Sequence, residues 1–115
     1  MPGPVSGVEI EEKKEGIGPP AVRGDQVTVR YRGFLNRGDP IQEEATATFT
    51  LGERRVIAGL ERGMEGMRVG GVRTIKVSPH LAYRDIGVPG IIPPNAVLIF
   101  HVELLSISHQ EGSPR

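Results

Sequence analysis

The chain has 115 residues, with 14 basic and 14 acidic side chains and a formal net charge of zero. That length fits one domain with a single core, and the balanced charge argues against a nucleic-acid surface, which wants a basic excess. Cysteine is absent, so disulfide scaffolds, thiol nucleophiles and cysteine zinc sites are excluded.

Sixteen glycines and ten prolines punctuate the chain between apolar segments without a repeating period. This is the turn chemistry of a β-rich domain. No apolar run approaches the roughly 20 residues a membrane span requires. The first sixteen residues, MPGPVSGVEIEEKKEG, lack the basic start and apolar centre of a signal peptide. A cytoplasmic location is therefore the default expectation. Nothing in the pattern suggests a coiled coil, and a monomer is the simplest assembly.

Residues 1–7 are expected to be flexible, as are residues 109–115, leaving a domain over 8–108. Residues 8–14 form a polar edge strand with Val8 and Ile10 on one face. Residues 26–35 alternate, with Val27, Val29 and Tyr31 pointing one way and Thr28, Arg30 and Arg32 the other. Asn36-Arg37-Gly38 supplies a turn with positive φ at the glycine. Residues 40–46 are ambiguous, and 46–51 form a short strand. Residues 54–64 are the one good helix candidate, since Val56, Ile57, Leu60 and Met64 share a face. Gly59 and Gly63 weaken it, each by up to about 1 kcal/mol against alanine.

Gly70-Gly71 makes a turn, and 72–78 is a strand with Ile75 and Val77 inward. Residues 79–95 form a long loop, and loops beyond about 12–15 residues in a compact domain are usually functional or disordered. Residues 96–108 are the longest strand. Strands and helix do not alternate as in a doubly wound fold. The expected class is α+β, an antiparallel sheet wrapped on one short helix.

Catalytic apparatus is scarce. His80, His101 and His109 have no metal-ligand spacing, and each reads as a surface or satisfied residue. Ser78, Ser106 and Ser108 lack a neighbouring base or an elbow pattern. Gly-Val-Pro-Gly at 87–90 is not followed by the Lys-Ser/Thr of a phosphate loop. No metal site and no cofactor are expected. An enzyme of this kind needs chemistry that a shaped apolar pocket can supply. Rotation about an X–Pro amide fits: its barrier of about 18–20 kcal/mol is set by amide resonance. A pocket lowers that barrier by desolvating the carbonyl and fitting the twisted amide better than either planar isomer.

The stretch from Ala82-Tyr83 through Gly87-Val88-Pro89-Gly90-Ile91-Ile92-Pro93-Pro94-Asn95-Ala96 to Leu98, Phe100 and 102–105 resembles the signature of the FKBP-type peptidyl-prolyl isomerases, the macrolide-binding immunophilins. Val27 to Gly33 (VTVRYRG), Gly52 with Val56-Ile57-Ala58-Gly59, and 66–71 resemble further motifs of that family in the same order. The resemblance covers about residues 6–108. It implies a twisted five- to six-stranded antiparallel sheet curled around one short helix, with a pocket between them.

Carried across by position, the resemblance implies that Tyr31, Phe49, Val56, Ile57, Leu60, Tyr83 and Phe100 line the pocket, with Ile41 at its edge. Leu60 would be the floor. Tyr83 would donate its hydroxyl to one substrate carbonyl and the Ile57 N–H would bind another. Tyr31 and Phe100 complete the implied catalytic set. Ile91 and Ile92 would sit in a loop covering the proline. Phe49, Val56, Leu60, Phe100 and Tyr31 also stand at core-facing periods, and each reads equally well as core.

The implied partners are proline-containing polypeptides and macrolides such as rapamycin, with no nucleic acid and no membrane. The implied role is a rotamase assisting protein folding. Leu60 stands where tryptophan is common in the family, Ile41 where phenylalanine is usual, Gln42 where aspartate is usual and Arg84 where glycine is usual. The segment between Ile41 and Phe49 looks shortened. A lost aromatic edge is worth roughly 0.5–1.5 kcal/mol, so a slower isomerase with weaker macrolide binding is expected. The alternative is a non-catalytic binding or chaperone module on the same fold.

Overall fold

Five strands and one short helix organise the protein in a computed structural model, which describes residues 7–109. The strands are β1 (Val8–Lys14), β2 (Gln26–Leu35), β3 (Pro40–Thr50), β4 (Val72–Val77) and β5 (Leu98–Ser108), and the helix is α1 (Ala58–Met64). The described strands form one sheet in the order β1-β4-β5-β2-β3. Every pairing is antiparallel. The sheet packs one face on α1, and the other face is wet, the usual arrangement for an antiparallel sheet.

The inner face follows the alternation of the sequence. Val27 and Val29 of β2, Ile75 and Val77 of β4, and Leu98, Phe100, Val102 and Leu104 of β5 are buried. Leu60, Met64 and Met67 close the core from the helix side. The helix lies tight on β4 because it presents glycine there. A β-carbon on Gly59 would overlap Val77, and one on Gly63 would sit 2.8 Å from Ile75 Cδ1. The two glycines that lower helix propensity are what allows the close approach.

Four boundaries differ from the sequence pattern, the smallest being β4, which ends at Val77 and not at residue 78. Residues 40–50 are a single strand; Glu43 and Glu44 are exposed within it. The strand bends where Tyr31 pairs with Ala45 but Gly33 pairs with Gln42, a bulge that sets two residues of β3 against one of β2. The helix starts at Ala58 rather than at residue 54, since Arg54 has φ 58° and Ile57 is extended with ψ 147°. The last strand begins at Leu98, not at residue 96.

The expected flexible ends lie mostly outside the described residues. Of those described, Gly7 accepts a hydrogen bond from the Ser78 N–H at 2.8 Å. His109 is 3.0 Å from the buried Asp25 carboxylate.

Candidate functional site

The sequence places apolar residues on one face of three elements, and the fold brings those faces together. Leu60, Phe49, Phe100 and Ile92 belong to the buried core cluster, and Tyr31, Ile41, Val56 and Ile57 pack against it half-buried. Eight of the ten residues expected at the site therefore share one apolar assembly. Tyr83 and Ile91 stand outside it, 39% and 58% exposed.

Phe100 is positioned by its neighbours. On β5 it pairs with Gly33 of β2 and with Ile75 of β4. A β-carbon on Gly33 would lie 2.8 Å from Phe100 Cε1 and 3.4 Å from Gln42 Cβ. The ring thus lies across the Gly33 backbone beside the bulge of β3. The alternation of β2 alone does not mark Gly33 as the residue that accommodates this ring. The signal was available, because a glycine inside a strand often marks close approach of another group.

Hydrogen bonding sets Ile57, Tyr83 and Tyr31 apart from the other residues expected at the site. The Ile57 carbonyl accepts from the N–H groups of Leu60 and Glu61, at 3.1 and 3.2 Å. Among the described residues no acceptor takes the Ile57 N–H, which belongs to the unsatisfied donors at a helix start. The Tyr83 hydroxyl and the Tyr31 hydroxyl also make no hydrogen bond to any described residue. Three donors are thus unengaged, and two of them, the Ile57 N–H and the Tyr31 hydroxyl, belong to residues packed against the apolar cluster.

The loop after β4 is braced by its own backbone. A 3-10 turn, Pro79–Leu81, opens it. The Arg84 N–H donates to the Pro79 carbonyl, the Gly87 N–H to the Tyr83 carbonyl and the Asn95 N–H to the Arg84 carbonyl, at 2.8 to 2.9 Å. Val88 and Ile92 exchange both hydrogen bonds. The two expected lid isoleucines separate: Ile92 is buried at 7% and anchors the loop, while Ile91 projects outward. Leu81, Ala82, Val88 and Ala96 pack on the core from the same loop. Ala82, Val88 and Ala96 enter the sequence reading only as letters of the family signature, and Leu81 not at all, because small and aliphatic residues in a Gly/Pro loop carry no periodicity.

The departures from the expected pattern also have places. Gln42 is exposed and donates its amide to the Glu43 carbonyl at 3.0 Å. Arg84 has φ 54°, the left-handed conformation that glycine adopts at least cost. Among the described residues there is no group of three or more His, Asp or Glu able to hold a metal ion, and no helix long and apolar enough to cross a membrane.

Comparison with known proteins finds relatives over most of the chain. The model of the FKBP-type peptidyl-prolyl cis-trans isomerase family matches residues 18–105. An FK506-binding protein of Neisseria meningitidis serogroup B is 39% identical over 107 residues, covering 90% of this chain and 98% of that protein. FK506-binding protein 4 of Aspergillus oryzae is 47% identical over 106 residues, covering 90% of this chain but only 22% of its own length. Among solved structures, FkpA from Escherichia coli superposes with a TM-score of 0.80 at 33% identity, over 90% of this chain and 49% of that one. The chain thus spans about a fifth of the fungal relative and about half of FkpA.

Proposed function

The chain belongs to the FKBP-type peptidyl-prolyl cis-trans isomerase family, and from that premise we propose that it catalyses rotation about X–Pro bonds in polypeptides. The observation that carries this reading is the pairing of unengaged donors with an apolar surface. The Ile57 N–H and the Tyr83 hydroxyl have no partner among the described residues, while Leu60, Phe100, Tyr31 and Val56 offer apolar contact. The proline ring would rest on the apolar residues. The Ile57 N–H would hold a carbonyl next to the reacting bond, and Tyr83 would reach over as the loop settles on the substrate.

The chemistry asked of these residues is small. No bond is made or broken, and rate comes from removing water from the amide and preferring its twisted form. Leu60 in place of an aromatic floor leaves aliphatic contact only. Each 1.4 kcal/mol of transition-state binding lost is about tenfold in rate, so the enzyme is expected to be slower than members with an aromatic floor. Macrolides such as rapamycin would use the same apolar residues, with weaker affinity.

A second reading is a binding module that holds proline-containing segments without turnover. The exposure of Tyr83 outside the apolar assembly favours it. One experiment separates the two. Cis-to-trans relaxation of a Leu-Pro peptide takes on the order of minutes at 10 °C without catalyst. A rate that rises linearly with protein and falls with rapamycin supports the isomerase. A background rate in a folded sample supports the binding module.

A further inference from the structure

A groove of about 560 Å³ runs beside α1, bounded by the 23–25 turn, the 51–56 segment, the outer side of the helix and the 80–84 segment. Its walls carry four arginines, Arg23, Arg54, Arg62 and Arg84, together with His80. All five are exposed. No guanidinium of the groove forms an ion pair or hydrogen bond with another described residue. Two carboxylates share the groove, Glu61 and Glu65. The Glu61 carboxylate is engaged, since its Oε2 accepts the Gly52 N–H at 3.1 Å. The groove therefore holds four guanidinium charges against two carboxylates, on a chain whose net charge is zero.

Two of these arginines are also held in a backbone conformation that disfavours them. Arg54 and Arg84 have φ of 58° and 54°. Among the described residues only Asn95 is a further non-glycine with positive φ. A side chain there costs about 1–2 kcal/mol, and glycine would relieve it. The pattern places long cationic side chains at two such positions on the same groove, and functional sites are where such strain tends to collect.

The groove adjoins the apolar assembly. Val56, Leu81 and Ala82 line it as well, and Val56 precedes Ile57 while Ala82 precedes Tyr83. We propose that the arginine groove binds an Asp/Glu-rich stretch of a polypeptide whose proline occupies the neighbouring apolar site. This deepens the isomerase reading and rests on it for the position of the proline. The ligand groups are side-chain carboxylates, which a guanidinium fork receives with two parallel hydrogen bonds. The substrates so favoured are acidic segments around X–Pro bonds. Charge of this kind acts mainly on selection and encounter rate, and salt weakens it.

The test uses the whole chain and three peptides. One carries Leu-Pro between neutral residues, one has three glutamates before it, and one has three glutamates after it. We expect one glutamate peptide to show kcat/KM about three- to tenfold above the neutral one at low salt. The advantage should vanish in about 0.5 M salt, where the Debye length is roughly 4 Å. It should also vanish in Arg23→Gln/Arg54→Gln/Arg62→Gln, which keeps the neutral-peptide rate and the melting temperature. Equal rates for all three peptides, or an advantage that survives in the variant, would overturn the proposal.

A binding arm removes the dependence on turnover. Fluorescence anisotropy of a labelled hexaglutamate peptide lacking proline should give saturable binding that the triple variant loses. If no peptide is isomerised but hexaglutamate still binds, the isomerase reading fails and the groove stands. If turnover is normal and hexaglutamate does not bind wild type, the groove assignment fails alone. Binding of a phosphoserine peptide or a single-stranded oligonucleotide, with none of hexaglutamate, would overturn the carboxylate assignment.

Discussion

Gly59 of α1 faces Val77 of β4 with nothing between them but the two backbones' own width: a β-carbon on Gly59 would overlap Val77 Cγ1 and lie 3.1 Å from Cγ2. Val77 is fully buried, so it has no free space into which to withdraw. In an isolated helix Gly→Ala would stabilise by about 1 kcal/mol. Here the packing clash outweighs propensity. Gly59→Ala is expected to destabilise by about 1–3 kcal/mol, the cost of overpacking a core. Urea unfolding measures it. Gly59→Ala with Val77→Ala should recover part of the loss, and a Gly59→Ala protein more stable than wild type would refute the contact.

Arg73 ties three elements at one point. It is buried at 7% exposure on β4. Its Nε donates to both Glu12 carboxylate oxygens of β1, at 3.2 and 3.1 Å. Its Nη1 donates to the Gly63 and Glu65 carbonyls at the end of α1, both at 2.8 Å. Arg73→Met strips two carbonyls of their donor and leaves Glu12 unpaired, at a cost of about 2–4 kcal/mol. Arg73→Lys should recover less than half, because one ammonium cannot reproduce the planar fork. Denaturant midpoints for the two variants check this, and a Met variant within experimental error of wild type would sink it.

The Tyr83 hydroxyl has no intramolecular partner among the described residues, which separates its stability effect from its activity effect. Tyr83→Phe should leave the melting temperature unchanged. It should lower kcat/KM about three- to tenfold, the value of one hydrogen bond of roughly 0.5–1.5 kcal/mol. Equal kcat/KM for the two proteins would remove Tyr83 from the site.

His101 gives a pH dependence of defined sign. It lies half-buried on the outer face of β5, 3.0 Å from Thr74 Oγ1, with the Phe34 ring edge-on at 5.4 Å between centroids. Burial, followed by the positive charges of Arg32 and Lys13, holds its pKa below the ordinary imidazole value of 6.5. The unfolded chain therefore binds this proton at higher pH than the folded one does. Stability from this group is undiminished above the unfolded pKa and declines as pH falls through it, until the folded pKa is passed. Between pH 7.5 and pH 5.5, wild type should lose more denaturant resistance than His101→Gln. Equal losses would remove His101 as a cause.

The sheet was legible because its inner face alternates. Val27, Val29 and Tyr31, and later Leu98, Phe100, Val102 and Leu104, announce β2 and β5 without help from neighbours. The start of α1 was not legible. Val56 and Ile57 continue the helical period, yet Arg54 is left-handed and Ile57 extended, and periodicity carries no information about φ. The union of 40–46 with 46–51 was hidden by Glu43 and Glu44, which face solvent on an edge strand and so mimic a loop. For the site, spacing places Tyr31, Phe49, Val56, Leu60 and Phe100 inward as core, and only the resemblance to the family marks them as a site. The split between Ile91 and Ile92 could not be read, since it follows from the Val88–Ile92 hydrogen bonds that fold the loop on itself. The arginine groove gathers residues 23, 54, 62 and 84, a proximity that only the chain's path creates.

The strand order has a bearing on how this protein is made. β5, the latest strand in the chain, sits in the middle of the sheet between β4 and β2. Until it arrives, β1 with β4 and β2 with β3 can exist only as two separate pairs, the first of them closing a long stretch of chain that contains β2, β3 and α1. On a ribosome delivering about 5–20 residues per second, the nascent chain must therefore wait, half-assembled, for residues 98–108 to clear the exit tunnel. Completion is a single late insertion that welds two sub-sheets, and few intermediate stopping points are open to it. Such non-local joining is slow by nature. The chain would thus spend its vulnerable moments with exposed strand edges, dependent on β5 to close them.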